Sequence, residues 1–226
     1  MKNSMTKTTL FACLSVAAGG LAQHAAASVI LSNLPGVEAN GSSLGSYPGF
    51  SSDATKAVGI TTGASDLSFV SMQVMIYNVN ASAQLGGGIY ADASGRPQVG
   101  APLAAFTTRS LSPIIPASLV TLTIPGGFTM LAGTTYWFRL TSGENLFEMQ
   151  WQRLEPNTAP TAPTPGDPDA VTLAGYRFSE DGGATWSNSG VFNGVSIEAD
   201  VIPAPGPSAL LGLGGLLAAR RRRVIA

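Results

Sequence analysis

The sequence predicts an all-β fold, an antiparallel β-sandwich of jelly-roll-like form, and three observations predict it. Gly and Pro number 27 and 15 in 226 residues, which argues against a helical bundle. Short runs rich in Val, Ile, Phe, Tyr and Thr recur along the middle of the chain. Between them stand turn signals: Gly86-Gly87-Gly88, Ser94-Gly95-Arg96-Pro97, Pro125-Gly126-Gly127 and Asp181-Gly182-Gly183. Hydrophobic residues make up 45% of the chain and charged ones 11%, so there is material for a core and little reason for disorder.

The first element, residues 1–27, reads as a secretory signal peptide. Lys2 and Lys7 form a positive start, Leu10 to Ala22 is mostly apolar, and the segment ends in Ala25-Ala26-Ala27. Ala25 and Ala27 fit the two small pockets of a signal peptidase, so cleavage is expected after Ala27 with Ser28 opening the mature chain. Cys13, the only cysteine, leaves with the leader. Only five residues separate it from Lys7, too few for the apolar region that a lipoprotein cleavage box would need. The partners implied are the Sec translocon and signal peptidase.

Residues 28–202 form the second element, an extracellular domain. Nine strands are expected, with Leu67 to Val79 the longest. The others lie near Ala57 to Thr61, Gln84 to Ala91, Leu103 to Thr107, Leu119 to Ile124, Thr135 to Thr141, Leu146 to Arg153, Val171 to Phe178 and Val191 to Val201. No repeat of propeller or solenoid length interrupts them.

The chemistry of this domain is bounded by what it lacks. Lys56, Arg96, Arg109, Arg139, Arg153 and Arg177 are its six cations against all 13 Asp and Glu of the chain, a net charge of −7. No basic patch is available for phosphates, so no nucleic-acid partner is expected. His24, the only histidine, lies in the leader, so the domain has neither His nor Cys. Ser-His-Asp and Cys-His nucleophilic sites and Cys/His zinc sites are excluded. No catalytic residue, metal or cofactor is assigned. Calcium would fall to loop carboxylates such as Asp167 and Asp169, yet no Asp-x-Asp-x-Asp-Gly loop is present. Glu144, Glu148 and Glu155 are the remaining carboxylates that a glycosidase pair would draw on; Glu148 and Gln150 alternate with Phe147, Met149 and Trp151 as a solvated face opposite a buried one. Pro156 to Pro168 is a Thr/Pro-rich surface loop. Trp137, Trp151 and Trp186 are core residues or, in a rival reading, the stacking platform of a surface carbohydrate-binding module.

Ser179-Glu180-Asp181-Gly182-Gly183-Ala184-Thr185-Trp186 resembles the Asp-box, Ser-x-Asp-x-Gly-x-Thr-Trp. The resemblance implies a structural hairpin in which Asp181 accepts backbone hydrogen bonds, Gly183 supplies the unusual backbone angle and Trp186 packs beneath the turn. There is one copy and no repeat, which sets this chain apart from the sialidases that carry several.

The third element, residues 203–226, has three parts: Pro203-Ala204-Pro205-Gly206-Pro207, an apolar stretch from Ser208 to Ala219, and Arg220-Arg221-Arg222-Arg223. As a helix the apolar stretch spans about 18 Å, short of a hydrocarbon core of about 30 Å. The arginines stay cytoplasmic by the positive-inside rule, leaving the preceding chain outside, in agreement with the leader. Leu210, Leu211, Leu213, Leu216 and Leu217 leave no polar face. This order of parts resembles the PEP-CTERM sorting signal read by exosortases of Gram-negative bacteria. That family carries Pro-Glu-Pro where this sequence has Pro203-Ala204-Pro205. The segment is then either a variant served by an exosortase-like enzyme of different preference or a retained membrane anchor.

Three segments of the domain carry a second resemblance: Ala57-Val58-Gly59-Ile60-Thr61-Thr62-Gly63, Ile89 to Pro97, and Leu131-Ala132-Gly133-Thr134-Thr135-Tyr136-Trp137-Phe138. Together they resemble the choice-anchor R type of bacterial extracellular domain, over about Leu44 to Glu198. The two resemblances imply a non-catalytic protein that passes through the inner membrane and is sorted to the cell surface or extracellular matrix, with exopolysaccharide as a further partner.

Overall fold

A computed structural model describes residues 27–46, 53–80, 82–143, 149–163 and 170–203. Among these there are fourteen strands and no helix. In chain order they are β1 (Ser28–Ser32), β2 (Val37–Ser46), β3 (Asp53–Thr61), β4 (Leu67–Asn78), β5 (Ala83–Ala91), β6 (Ala104–Ala105), β7 (Arg109–Leu111), β8 (Ile114–Leu122), β9 (Phe128–Met130), β10 (Thr135–Ser142), β11 (Met149–Glu155), β12 (Thr172–Ser179), β13 (Ser187–Asn188) and β14 (Val195–Val201). All nine expected strands have a counterpart. The expected Leu103 to Thr107 shrinks to two residues, and Val191 to Val201 begins at Val195. Five strands went unpredicted: β1, β2, β7, β9 and β13.

The strands form one antiparallel sheet in the order β1-β14-β4-β11-β2-β3-β10-β5-β6, with β8 and β9 also on β4, β7 on β5, and β12 on β3 followed by β13. The link between its halves is short: β2 pairs with β11 through most of its length and reaches β3 only at Gly45↔Ala54 and Ser46↔Asp53. Strands far apart in this order meet through their side chains. Phe69 of β4 lies 5.7 Å from Phe138 of β10, and Trp151 of β11 lies 5.9 Å from Tyr176 of β12. The two halves therefore share one apolar core, in which Trp151, Tyr176, Phe138, Met72, Ile76, Ile89 and Leu85 are fully enclosed. Each such side chain contributes roughly 1.5–3 kcal/mol through burial.

β4 shows how sequence and register cooperate. Phe69 pairs with Ala199 while Ser71 pairs with Glu198, so Val70 is the extra residue of a bulge. Before it Leu67 and Phe69 face the core; after it Met72, Val74 and Ile76 do. Without the bulge one of these two sets would point to solvent. β3 is hydrogen-bonded on one edge to β10 and on the other to β12, and six consecutive residues from Thr55 to Ile60 are buried. Val58 and Ile60 join the main core. Ala57 joins a second, smaller cluster with Tyr90 and Trp137 on the opposite face.

The three segments that carry the choice-anchor resemblance become neighbours. Tyr136, Trp137 and Phe138 of β10 pair with Ile60, Gly59 and Val58 of β3 on one side and with Ala91, Tyr90 and Ile89 of β5 on the other.

Candidate functional site

The Asp-box turn closes the β12–β13 hairpin, where Arg177 pairs with Asn188 and Phe178 with Ser187. Its centre is the Ser179 hydroxyl, which is buried. That oxygen accepts the backbone N–H of Gly183 at 2.8 Å and of Asp181 at 3.3 Å, and its own hydrogen goes to Asp181 Oδ1 at 2.7 Å. Asp181 then accepts the Thr185 N–H at 2.8 Å and the Thr185 hydroxyl at 2.6 Å. These bonds favour the ionised form; the Thr185 hydroxyl leads in holding the Asp181 carboxyl down at about 2. Asp181 is exposed, so the sheltered acceptor of the turn is Ser179. Two glycines supply left-handed backbone, Gly182 at φ 67° and Gly183 at φ 88°, where the motif alone pointed to the second.

The turn is seated on Arg139, a residue the motif did not indicate. Arg139 donates from Nη2 to the Gly182 carbonyl at 2.5 Å and from Nε to Thr55 Oγ1 at 3.1 Å. Its guanidinium carbon lies 5.4 Å from the Tyr90 ring centre and 5.7 Å from that of Trp186, within cation–π reach of both. A Cβ on Gly183 would stand 2.6 Å from Arg139 Nη1, so a side chain here would displace the guanidinium as well as strain the left-handed backbone. Trp186 is half-buried and rests against this arginine. The signal in the sequence was the lone charge in Tyr136-Trp137-Phe138-Arg139-Leu140.

Beside it lies a second stack. The Trp137 ring crosses Gly59, where a Cβ would come within 2.7 Å of the indole, and its Nε1–H donates to Asp92 Oδ1 at 2.7 Å. Arg177 covers the ring at 5.1 Å and donates from Nε to the Gly95 carbonyl at 2.9 Å. Arg139 and Arg177 flank Ala57 on neighbouring strands, so both stacks cover one face of β10, β3 and β12.

The other expected residues fall as follows. Trp137 and Trp151 are fully buried, and the three tryptophans make no exposed platform. Ala27 and Ser28 are exposed, and Ser28 opens β1 opposite Ala199. Pro203 is exposed at the end of the described chain. Ala25, Ala204, Pro205, Arg220, Arg221, Arg222, Arg223, Glu144, Glu148, Asp167 and Asp169 lie outside the described residues, as do the rest of the leader and the apolar tail. Glu155 is paired with Arg153 at 2.5 Å. Among the described residues no three carboxylates, histidines or cysteines come together. Of the Thr/Pro-rich loop, Thr161 bridges to Ser32 through two backbone hydrogen bonds of 3.0 Å.

Lys56, one of the six cations of the domain, is buried, 2% exposed. Its Nζ donates to Ser42 Oγ at 2.7 Å and to the Val191 carbonyl at 3.2 Å, 5.8 Å from the Tyr176 ring centre. Burial lowers its pKa to about 7 and pushes the Tyr176 hydroxyl up. Asn193 adjoins it, donating to the Trp151 carbonyl, while the Tyr176 hydroxyl donates to the Asn193 carbonyl at 2.9 Å. This polar cluster ties β2, β3, β11, β12 and the segment before β14 together.

No family model matches the chain, and no curated protein or solved structure matches it.

Proposed function

We propose that the chain is an exported surface or extracellular-matrix protein, made with a removable leader (1–27), a non-catalytic domain (28–202) folded as a jelly-roll-like β-sandwich, and a C-terminal sorting segment (203–226). In this reading the Sec translocon delivers the chain, signal peptidase cuts after Ala27, and the apolar tail ahead of Arg220 holds the product in the inner membrane. An exosortase-like transpeptidase then acts at Pro203-Ala204-Pro205 and releases the domain to the outside, where exopolysaccharide is its surroundings.

One structural observation supports it above the rest. Ser28 pairs with Ala199, and Pro203 follows only four residues beyond Ala199. Strand structure therefore starts at one proposed cut and stops just before the other, and both exposed junctions leave the same end of the sheet. Two membrane-bound processing enzymes would meet them there with the folded domain clear of both.

The test is the intact mass of the protein from washed cells and from culture medium. The expected product starts at Ser28 and lacks the residues after about Pro205. A product starting at Ser28 with Arg220 to Ala226 still attached would make the tail a retained anchor and end the sorting proposal. A product that keeps residues 1–27 would end the export proposal as well.

A further inference from the structure

We propose that a groove on the outer face of β1, β14, β4 and β8 binds a neutral, hydroxyl-rich ligand, a segment of uncharged polysaccharide. The groove is an open one of about 550 Å³, within the range of small-ligand sites, and lies on the side of β4 away from the core. Its floor follows from strand register. Ser196 of β14 stands opposite Gln73 of β4, and Met75 of β4 stands opposite Leu119 of β8. One step along, Val29 of β1 is opposite Glu198 of β14, which is opposite Ser71. A polar row thus lies between an apolar pair and a carboxylate.

Three features of this floor point to hydroxyl groups. Neither the Gln73 amide nor the Ser196 hydroxyl has a hydrogen-bond partner among the described residues. Gln73 is half-buried and Ser196 buried, so their donors and acceptors can face little besides the groove. Glu198 Oε2 accepts the Ser71 hydroxyl at 2.8 Å, which fixes the carboxylate and leaves Oε1 for an outside donor. Side-chain amides and fixed carboxylates, acting as donors and acceptors at short spacing, match the alternating hydroxyls of a sugar. Met75 and the half-exposed Leu119, with Pro35 and Pro163 on the walls, offer apolar surface to the C–H face of the ring.

Charge selects among polysaccharides. Among the described residues no Lys or Arg lines the groove and the Glu198 carboxylate is the one ionised group there, while the domain carries −7. An acidic chain would be repelled without a compensating cation. The bulges also shape the site: Ile30 of β1 and Val70 of β4 are extra residues on the two strands that border β14 beside Glu198, and such irregularities re-aim side chains. The tryptophans of the rival carbohydrate-binding reading play no part here.

The test is isothermal titration of the purified full chain with dextran, laminarin, soluble starch and galactomannan as neutral probes and alginate as the acidic one. Saturable binding of a neutral probe and none of alginate is expected. Gln73→Ala and, separately, Leu119→Glu on the exposed floor should each weaken it about tenfold with unchanged melting temperature. A flat response to all neutral probes, equal binding of alginate, or neutral binding unmoved by both substitutions would overturn the proposal. The outcome is independent of where the chain is cut: failure here leaves the sorting reading standing, and failure of the mass measurement leaves the groove standing.

Discussion

Ser179 and Asp181 divide the work of the Asp-box turn by their exposure. Replacing Ser179 with Ala leaves the buried Gly183 N–H without an acceptor, an expected loss of about 1–3 kcal/mol in denaturant unfolding. Asp181 acts through its charge at the surface. Its carboxyl is depressed to about 2 in the folded chain, so its contribution is fully present above the ordinary carboxylate range near 4 and is lost as pH falls through about 2. Acid titration of Asp181→Asn should lack that step. Lys56 works in the other direction. Folding lowers its pKa to about 7, so between about 7 and 10 the unfolded chain binds the extra proton and stability rises with pH. Lys56→Met should flatten that rise in a series of melting curves, and it keeps the apolar stem that packs beside Tyr176. The motif made Ser179, Asp181 and Gly183 legible, because their spacing sets a local turn. Lys56 and Arg139 were not legible as structural residues, because what encloses them comes from strands distant in sequence.

Among the elements, legibility followed side-chain content. β4 announced itself through Leu67, Phe69, Met72, Val74 and Ile76. β2, written Val-Glu-Ala-Asn-Gly-Ser-Ser-Leu-Gly-Ser, has few strand formers and is a strand because β11 pairs along it. β13 is two polar residues held by the turn before them. β10 and β3 meet through an intimate fit in which the Trp137 ring occupies the place of a missing side chain on Gly59. Gly59→Ala sets a methyl within 2.7 Å of a ring pinned by Asp92 and covered by Arg177. An expected loss of about 1–3 kcal/mol follows, read as a lower denaturant midpoint with a shift in tryptophan emission. A Gly-to-Ala change at Gly143, where nothing stands within 4 Å, is the matched control.

At the scale of the molecule, composition and turn spacing were enough for an all-β antiparallel fold, and long-range pairing decided the rest. The first and last strands are neighbours: Ser28 and Ala199 are 171 residues apart in sequence and opposite one another in space. Neither run of residues alone indicates that pairing. Its consequence is mechanical. β14 is bonded along both edges, to β1 and to β4, whereas among the described residues the terminal strand β1 has one ladder, with β14, and beyond it the single Ser32–Thr161 bridge. Tension entering through Pro203 must shear two ladders at once, while the same tension entering through Ser28 loads only one. With the second handle at the exposed Val99 loop, single-molecule pulling from Pro203 should show the higher rupture force. A pull on the carboxyl end therefore loads the strand that the sheet holds from both sides.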